Sequence, residues 1–274
     1  MEMTHMTQVF DLPGANIPLR SVPNLRDLGG WPTRDGGRVR PGLLYRGTAL
    51  DRLQGDDLAA FVGLGIRSVY DLRTEAERSA SPDQKAPGVE AIVVDVLKDA
   101  SDSAPAQLLK ALSDPQAAAQ MLGGGRAVAM FEHGYRQIVS LPSALAGYRT
   151  FFTDLLDAAR RPLYFHCTTG KDRTGWAAAA LLTLLDVPDE LVMQEYLLTN
   201  EQLLPALQPV FDHFQSLGGD PALLRPILGV QREYLEAAFD EMRQRFGSME
   251  RYFADGLGLD QAVQAAIRRT LVQR

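Results

Sequence analysis

A single cysteine in 274 residues leaves no partner for an intrachain disulfide, so Cys167 is a free thiol. The four histidines, His5, His133, His166 and His213, are scattered without ligand spacing, so no metal site is expected. No run of lysine or arginine occurs, and the net charge is −6; this argues against nucleic acid as a partner. Ala177 to Leu185 is apolar, but it is bounded by Gly175 and Asp186 and too short for a membrane span, so no stable membrane insertion is expected. Met1 to Gly14 carries acidic residues and no apolar signal core, which favours a cytoplasmic place. Hydrophobic content of 46% with 23% charged residues is ordinary for a globular chain able to bury a sizeable core.

What is present is concentrated in His166 to Gly175, HCTTGKDRTG. Leu163-Tyr164-Phe165 leads in as a strand, and a helix-forming run from Trp176 to Leu185 leads out. A strand, a short loop and a helix start form a ring of backbone N–H groups that suits a tetrahedral dianion. The same positive field stabilises a thiolate, the nucleophilic form of Cys167. Arg173, six positions on, adds a planar fork able to hold two phosphate oxygens. A lone cysteine is commonly just a small buried hydrophobe, but Gly170, Arg173 and Thr174 stand where an anion loop needs them. His166 could act as a base for the thiol. Adjacent strand residues point to opposite faces, however, which favours a histidine that braces the loop from behind.

This loop resembles the Cys-x5-Arg-Ser/Thr signature of the protein-tyrosine and dual-specificity phosphatases. Its Gly170-Lys171-Asp172-Arg173-Thr174 is similar to a bacterial branch with mycobacterial and listerial members. Asn24 to Gly30, Leu44-Tyr45-Arg46-Gly47, Asp71-Leu72-Arg73, Gly229 to Leu235 and Tyr252 resemble further elements of that family, so the likeness runs from about Ser21 to Val272. The resemblance implies a cysteine-phosphatase fold and hydrolysis of phosphotyrosine in a phosphoprotein, with phosphoserine, phosphothreonine or a phosphoinositide as further substrates, through a cysteinyl-phosphate. It implies no metal or organic cofactor, and it leaves secretion by an unrecognised route open.

The resemblance also implies site roles. The amides of Thr168, Thr169, Gly170 and Lys171 through Arg173 would hold phosphate, the Lys171 side chain would add charge, and Thr174 would hydrogen-bond the sulfur. Asp172 would be the general acid, although Asp95, Asp99 and Asp102 lie in a region where other tyrosine phosphatases carry theirs. Asp71 would either orient Lys171 or Arg173 by an ion pair or cap the following helix. Rival functions are a lipid-directed phosphatase, a rhodanese-like sulfurtransferase and a non-catalytic phosphate-binding module.

Strands are expected at Gly42 to Gly47, Ile66 to Leu72, Glu90 to Val96 and Leu163 to His166, with a helix at Asp51 to Leu64. Their alternation with helices predicts an α/β fold with a central, parallel-rich sheet flanked by helices. From Asp189 the pattern is helical almost to Gln273, broken by a turn at Gly218 to Pro221. One domain is expected over residues 21–274, after an extension over 1–20. Lys98 to Arg126 reads as an insertion with short helical patches at Pro105 to Leu112 and Pro115 to Leu122, ending in a flexible triple glycine. It is either a surface addition or a lid over the pocket.

Overall fold

In the computed structural model, residues 12–100 and 114–274 are described. Five short strands form the central sheet: β1 (Arg26–Asp27), β3 (Leu44–Gly47), β4 (Ser68–Asp71), β5 (Glu90–Val93) and β6 (Leu163–His166), in the order β1-β3-β6-β4-β5. All pairings are parallel except β1 with β3. The parallel-rich α/β architecture expected from the sequence is therefore present. Register puts Gly47, Asp71 and His166 side by side at the carboxyl ends of the three middle strands. In such sheets that edge is where ligands are bound.

β6 shows how the sheet builds two cores. Its residues alternate: Leu163 and Phe165 enter the larger apolar cluster, and Tyr164 enters the smaller one. On the larger side lie α4 (Arg126–Ser140), α5 (Pro142–Asp154), α6 (Arg173–Leu184), α7 (Asp189–Leu203) and α9 (Arg232–Phe246), following α1 (Gly55–Gly63), α2 (Glu75–Ala80), α3 (Pro115–Leu122) and, between α7 and α9, α8 (Gln208–Ser216). The smaller cluster packs Phe61 of α1 edge-on to Tyr164, with ring centroids 5.3 Å apart. α6 is buried along most of its length, and its run of alanines lets neighbouring helices approach closely. It is the central helix of the fold, and the HCTTGKDRTG loop leads into it.

Several boundaries differ from expectation. α1 begins at Gly55, after Asp51 and Arg52 are spent in a turn, and β5 stops at Val93. The last residues are not helical: after α10 (Gln261–Leu271), Val272–Gln273 form β7, antiparallel to β2 (Arg38–Val39). Gly218 to Pro221 is the expected turn, with Asp220 accepting from Ala222 N at 2.9 Å. Residues ahead of Ser21 are packed: Asn16 bridges to Arg26, and Leu19 joins the smaller core. Of the insertion, Pro105 to Leu112 lies outside the described residues. The second patch is a helix, α3, whose Asp114 caps it by accepting from Gln116 N and Ala117 N. α3 buries Ala118 and Leu122 against Phe211 and Phe214 of α8 and against Leu224, Ile227 and Leu228. Gly125 ends the triple glycine with φ +81°, and α4 starts at the next residue.

Candidate active site

The loop after β6 runs from Cys167 to Asp172, and α6 begins at Arg173. Among the described residues, no backbone N–H from Thr168 to Asp172 donates to a protein acceptor. The ring of donors expected from the sequence is therefore free to hold an anion. Cys167 lies at its base, 1% exposed. Burial pushes its thiol up, but Arg173, aided by the Thr174 hydroxyl and amide, outweighs burial and the nearby Asp172, and the net direction is down. The Thr174 Oγ1 is buried and takes no other partner.

The loop hangs on Gly170. Its φ of +64° is left-handed, and a Cβ there would lie 2.0 Å from the Gly47 carbonyl oxygen. The Gly170 carbonyl accepts from Arg46 Nη2 at 2.7 Å and from Asn24 Nδ2 at 3.2 Å. With its oxygen held below, this peptide cannot turn its carbonyl toward a bound anion. Arg46 Nη1 in turn donates to Glu195 Oε2, and Arg26 Nε donates to Glu195 Oε1, both at 2.7 Å. These three side chains are at most 1% exposed, so a buried Arg–Glu–Arg triad forms the floor of the loop.

Arg173 is oriented from outside the loop. Its Nη1 and Nη2 donate to the two Glu77 oxygens at 2.7 and 2.6 Å. Among the described residues Nε has no partner, so one edge of the guanidinium stays available for phosphate oxygens. Glu77 Oε1 also accepts from the Thr168 hydroxyl at 2.6 Å. Burial alone would raise the Glu77 carboxyl, but the bonds from Arg173 hold it far below the ordinary carboxylate range. Lys171 is buried, with Nζ 4.1 Å over the Phe131 ring and 2.9 Å from Asp172 Oδ1. Asp172 Oδ1 also accepts from the Tyr135 hydroxyl at 2.8 Å.

The sequence pattern of the tyrosine phosphatase family matches residues 17–273 of this chain. The chain belongs to the tyrosine phosphatase family. A Cupriavidus necator protein, named as a tyrosine-protein phosphatase, is 33% identical over 253 residues, covering 90% of this chain and 86% of its own length. The triple specificity protein phosphatase PtpB of Mycobacterium tuberculosis is 29% identical over 291 residues, covering 96% and 99%. The chain is thus a phosphatase enzyme that hydrolyses phosphotyrosine. Among the described residues no helix is long and apolar enough to cross a membrane.

One sequence expectation for this phosphatase needs correction. Asp71 pairs with neither Lys171 nor Arg173 and caps no helix. It binds Arg73 through Nε at 2.9 Å and Nη2 at 2.8 Å, because Asp71 ends β4 and Arg73 folds back two residues later. Thr74 caps α2 instead, in a capping box with Glu77. Arg73 Nη2 also reaches Asp83 at 2.9 Å, and Asp83 lies 3.1 Å from His166 Nε2. The Asp71, Asp83 and His166 group, which has metal-like spacing, thus already holds the Arg73 guanidinium between its two carboxylates. Of the alternative acids, Asp95 accepts from Leu97 N in a tight turn and Asp99 accepts from Ser143 N at the start of α5. Asp102 lies outside the described residues.

His166 does brace the loop. It stacks on Tyr164 at 5.5 Å, its Nδ1 lies 3.0 Å from the Cys167 carbonyl oxygen, and it joins the face opposite Cys167. Burial opposes its charge, yet Asp83 and Asp71 shift it upward.

Sequence reasoning missed Glu77, Glu195, Asn24 and Arg46. The last two lie in motifs that carried the family resemblance, and Glu77 has a T-x-x-E capping signal. Nothing local ties Glu77 to an arginine 96 positions away. Glu77→Gln keeps the shape and removes the charge facing Arg173. The parent's advantage, about 2–4 kcal/mol for a largely buried pair, is fully present above the ordinary glutamate range, since the folded-state pKa lies below it. It is lost as pH falls through the folded-state value. Urea unfolding of both proteins from pH 7 to pH 3 should show a constant gap down to about pH 4.5, then a steady narrowing that is still incomplete at pH 3.

Proposed function

We infer that this tyrosine phosphatase works through a cysteinyl-phosphate, with Cys167 as nucleophile, Arg173 and the amides of Thr168 to Arg173 as the phosphate cradle, and Asp172 as general acid. The observation that carries this reading is the coincidence, in one loop, of a buried thiol shifted downward by Arg173 and a run of amides, Thr168 to Asp172, that donate to no described protein acceptor. The Cys167 thiolate attacks phosphorus in line, forming S–P as the P–O bond to the leaving group breaks. Asp172 gives its proton to the departing oxygen. The resulting carboxylate takes a proton from water as that water attacks phosphorus, breaking S–P and releasing inorganic phosphate. Thr174, lying against the sulfur, stabilises the thiolate as it leaves. Lys171 adds a second positive charge beside the cradle, which supports phosphoinositide as well as phosphotyrosine substrates.

Initial rates on phosphotyrosine peptide, phosphoserine peptide and a phosphoinositide should put phosphotyrosine highest, with measurable lipid turnover. No lipid turnover would confine the enzyme to phosphoprotein. Asp172→Asn should lose about 100-fold in kcat on a poor leaving group and far less on para-nitrophenyl phosphate, whose leaving group needs little protonation. An equal loss on both would remove Asp172 from the acid role.

A further inference from the structure

Asp172 occupies the N-cap position of α6, where an aspartate ordinarily turns its carboxylate onto the first free N–H groups of the helix. Here it makes no such bond. Its Oδ1 instead accepts from Lys171 Nζ at 2.9 Å and from the Tyr135 hydroxyl at 2.8 Å. Among the described residues Oδ2 accepts nothing, and the side chain is 25% exposed. Both acceptor sites of one oxygen are filled by donors, so a proton on this carboxyl belongs on the other.

Tyr135 is itself held from behind. It is 1% exposed, and its hydroxyl lies 2.6 Å from that of Tyr196, which is fully buried. A phenol has one proton. Since Tyr135 gives its proton to Asp172, Tyr196 must donate to Tyr135. The bonds thus run in one direction, from Tyr196 on α7 through Tyr135 on α4 to Asp172 in the loop. The ring of Tyr135 is further fixed against Tyr234, 5.7 Å between centroids, and Tyr234 stacks on Phe131, the residue beneath Lys171.

We propose that Tyr135, aligned by Tyr196, is a positioning residue that fixes the Asp172 carboxyl so that its acidic proton is carried on Oδ2, the oxygen that accepts no hydrogen bond among the described residues. The proposal rests on Asp172 being the general acid. In ordinary tyrosine phosphatase chemistry the acid must meet the leaving oxygen in a defined geometry, and small misplacement at a reacting centre is expensive. Without the Tyr135 hydroxyl, only Lys171 among the described residues holds the carboxyl, and the side chain can rotate or fall back onto the α6 amides.

The test is a leaving-group series of aryl phosphates with Asp172→Asn, Tyr135→Phe, Tyr196→Phe and the Tyr135→Phe/Asp172→Asn pair, with thermal unfolding of each. Tyr135→Phe should lose about 10-fold in kcat on the poorest leaving group and less than about 2-fold on the most acidic one, with KM little changed. Tyr196→Phe should lose less, with the same gradation. The pair should be no slower than Asp172→Asn alone, because the tyrosine acts only through that carboxyl. A flat loss across the series, full additivity in the pair, or no loss at all would overturn the proposal while leaving Asp172 as the acid. A flat series for Asp172→Asn itself would instead remove the underlying reading, and the proposal with it. If Tyr135→Phe does not fold, Tyr196→Phe carries the same test with the tyrosine–aspartate contact retained.

Discussion

Cys167→Ser is expected to lose at least about 10⁴-fold in kcat on para-nitrophenyl phosphate, while inorganic phosphate still binds within a few-fold of the parent's affinity. The serine hydroxyl fills the same space but does not ionise near neutral pH, and the amides and Arg173 proposed to hold the anion are untouched. An ordinary thiol is only about 0.3% ionised at pH 6. A cysteine held down by Arg173 and Thr174 should therefore react with iodoacetate at that pH much faster than free cysteine, and phosphate should protect it. Substantial turnover by the serine variant would exclude the covalent route. Alkylation no faster than that of free cysteine would mean that burial, not Arg173, sets the state of the thiol.

The largest loss of stability is expected at Glu195. Two buried guanidinium groups, Arg26 and Arg46, share its two oxygens, and the three side chains carry one net positive charge with at most 1% exposure. Glu195→Gln leaves both cations without a counter-charge, and breaking a buried pair in this way costs about 3–5 kcal/mol. That is a large share of the roughly 5–15 kcal/mol that holds a typical domain together. Urea unfolding at pH 7 should show it as a much lower midpoint. Adding Arg46→Met removes one stranded charge and should recover part of the stability. Activity should stay low, because the Gly170 carbonyl then loses its 2.7 Å donor and the left-handed turn above Gly47 is released. Recovery of full activity in the double variant would show that the triad serves stability alone.

Much of this enzyme could be read along the chain. The alternation of strands and helices led to the parallel-rich sheet, because β-strand and helix periodicities are local properties. Cys167, Gly170, Arg173 and Thr174 were legible together, because a strand, loop and helix start place them within one short segment. His166 was correctly set behind the loop by strand alternation alone. The insertion helix at Pro115 to Leu122 was also visible, although its Asp114 cap came only with the structure.

Other features came only from tertiary structure. Asp71 looked available to Arg173, yet a bonded arginine two residues away captures it, while Glu77 reaches Arg173 from a helix whose cap it also forms. Glu195 and Tyr196 are adjacent on α7 but serve the floor and the acid side of the same loop. Tyr135 reaches Asp172 across 37 residues because α4 packs against α9 and beside α6. Periodicity tells which face of a helix is buried. It does not tell which charged or hydroxyl group will lie opposite, since that follows from how helices far apart in sequence pack around the loop. Sequence alone therefore pointed to Cys167 and to the loop proposed as its cradle. Packing decided which carboxylate holds Arg173 and which phenol meets Asp172.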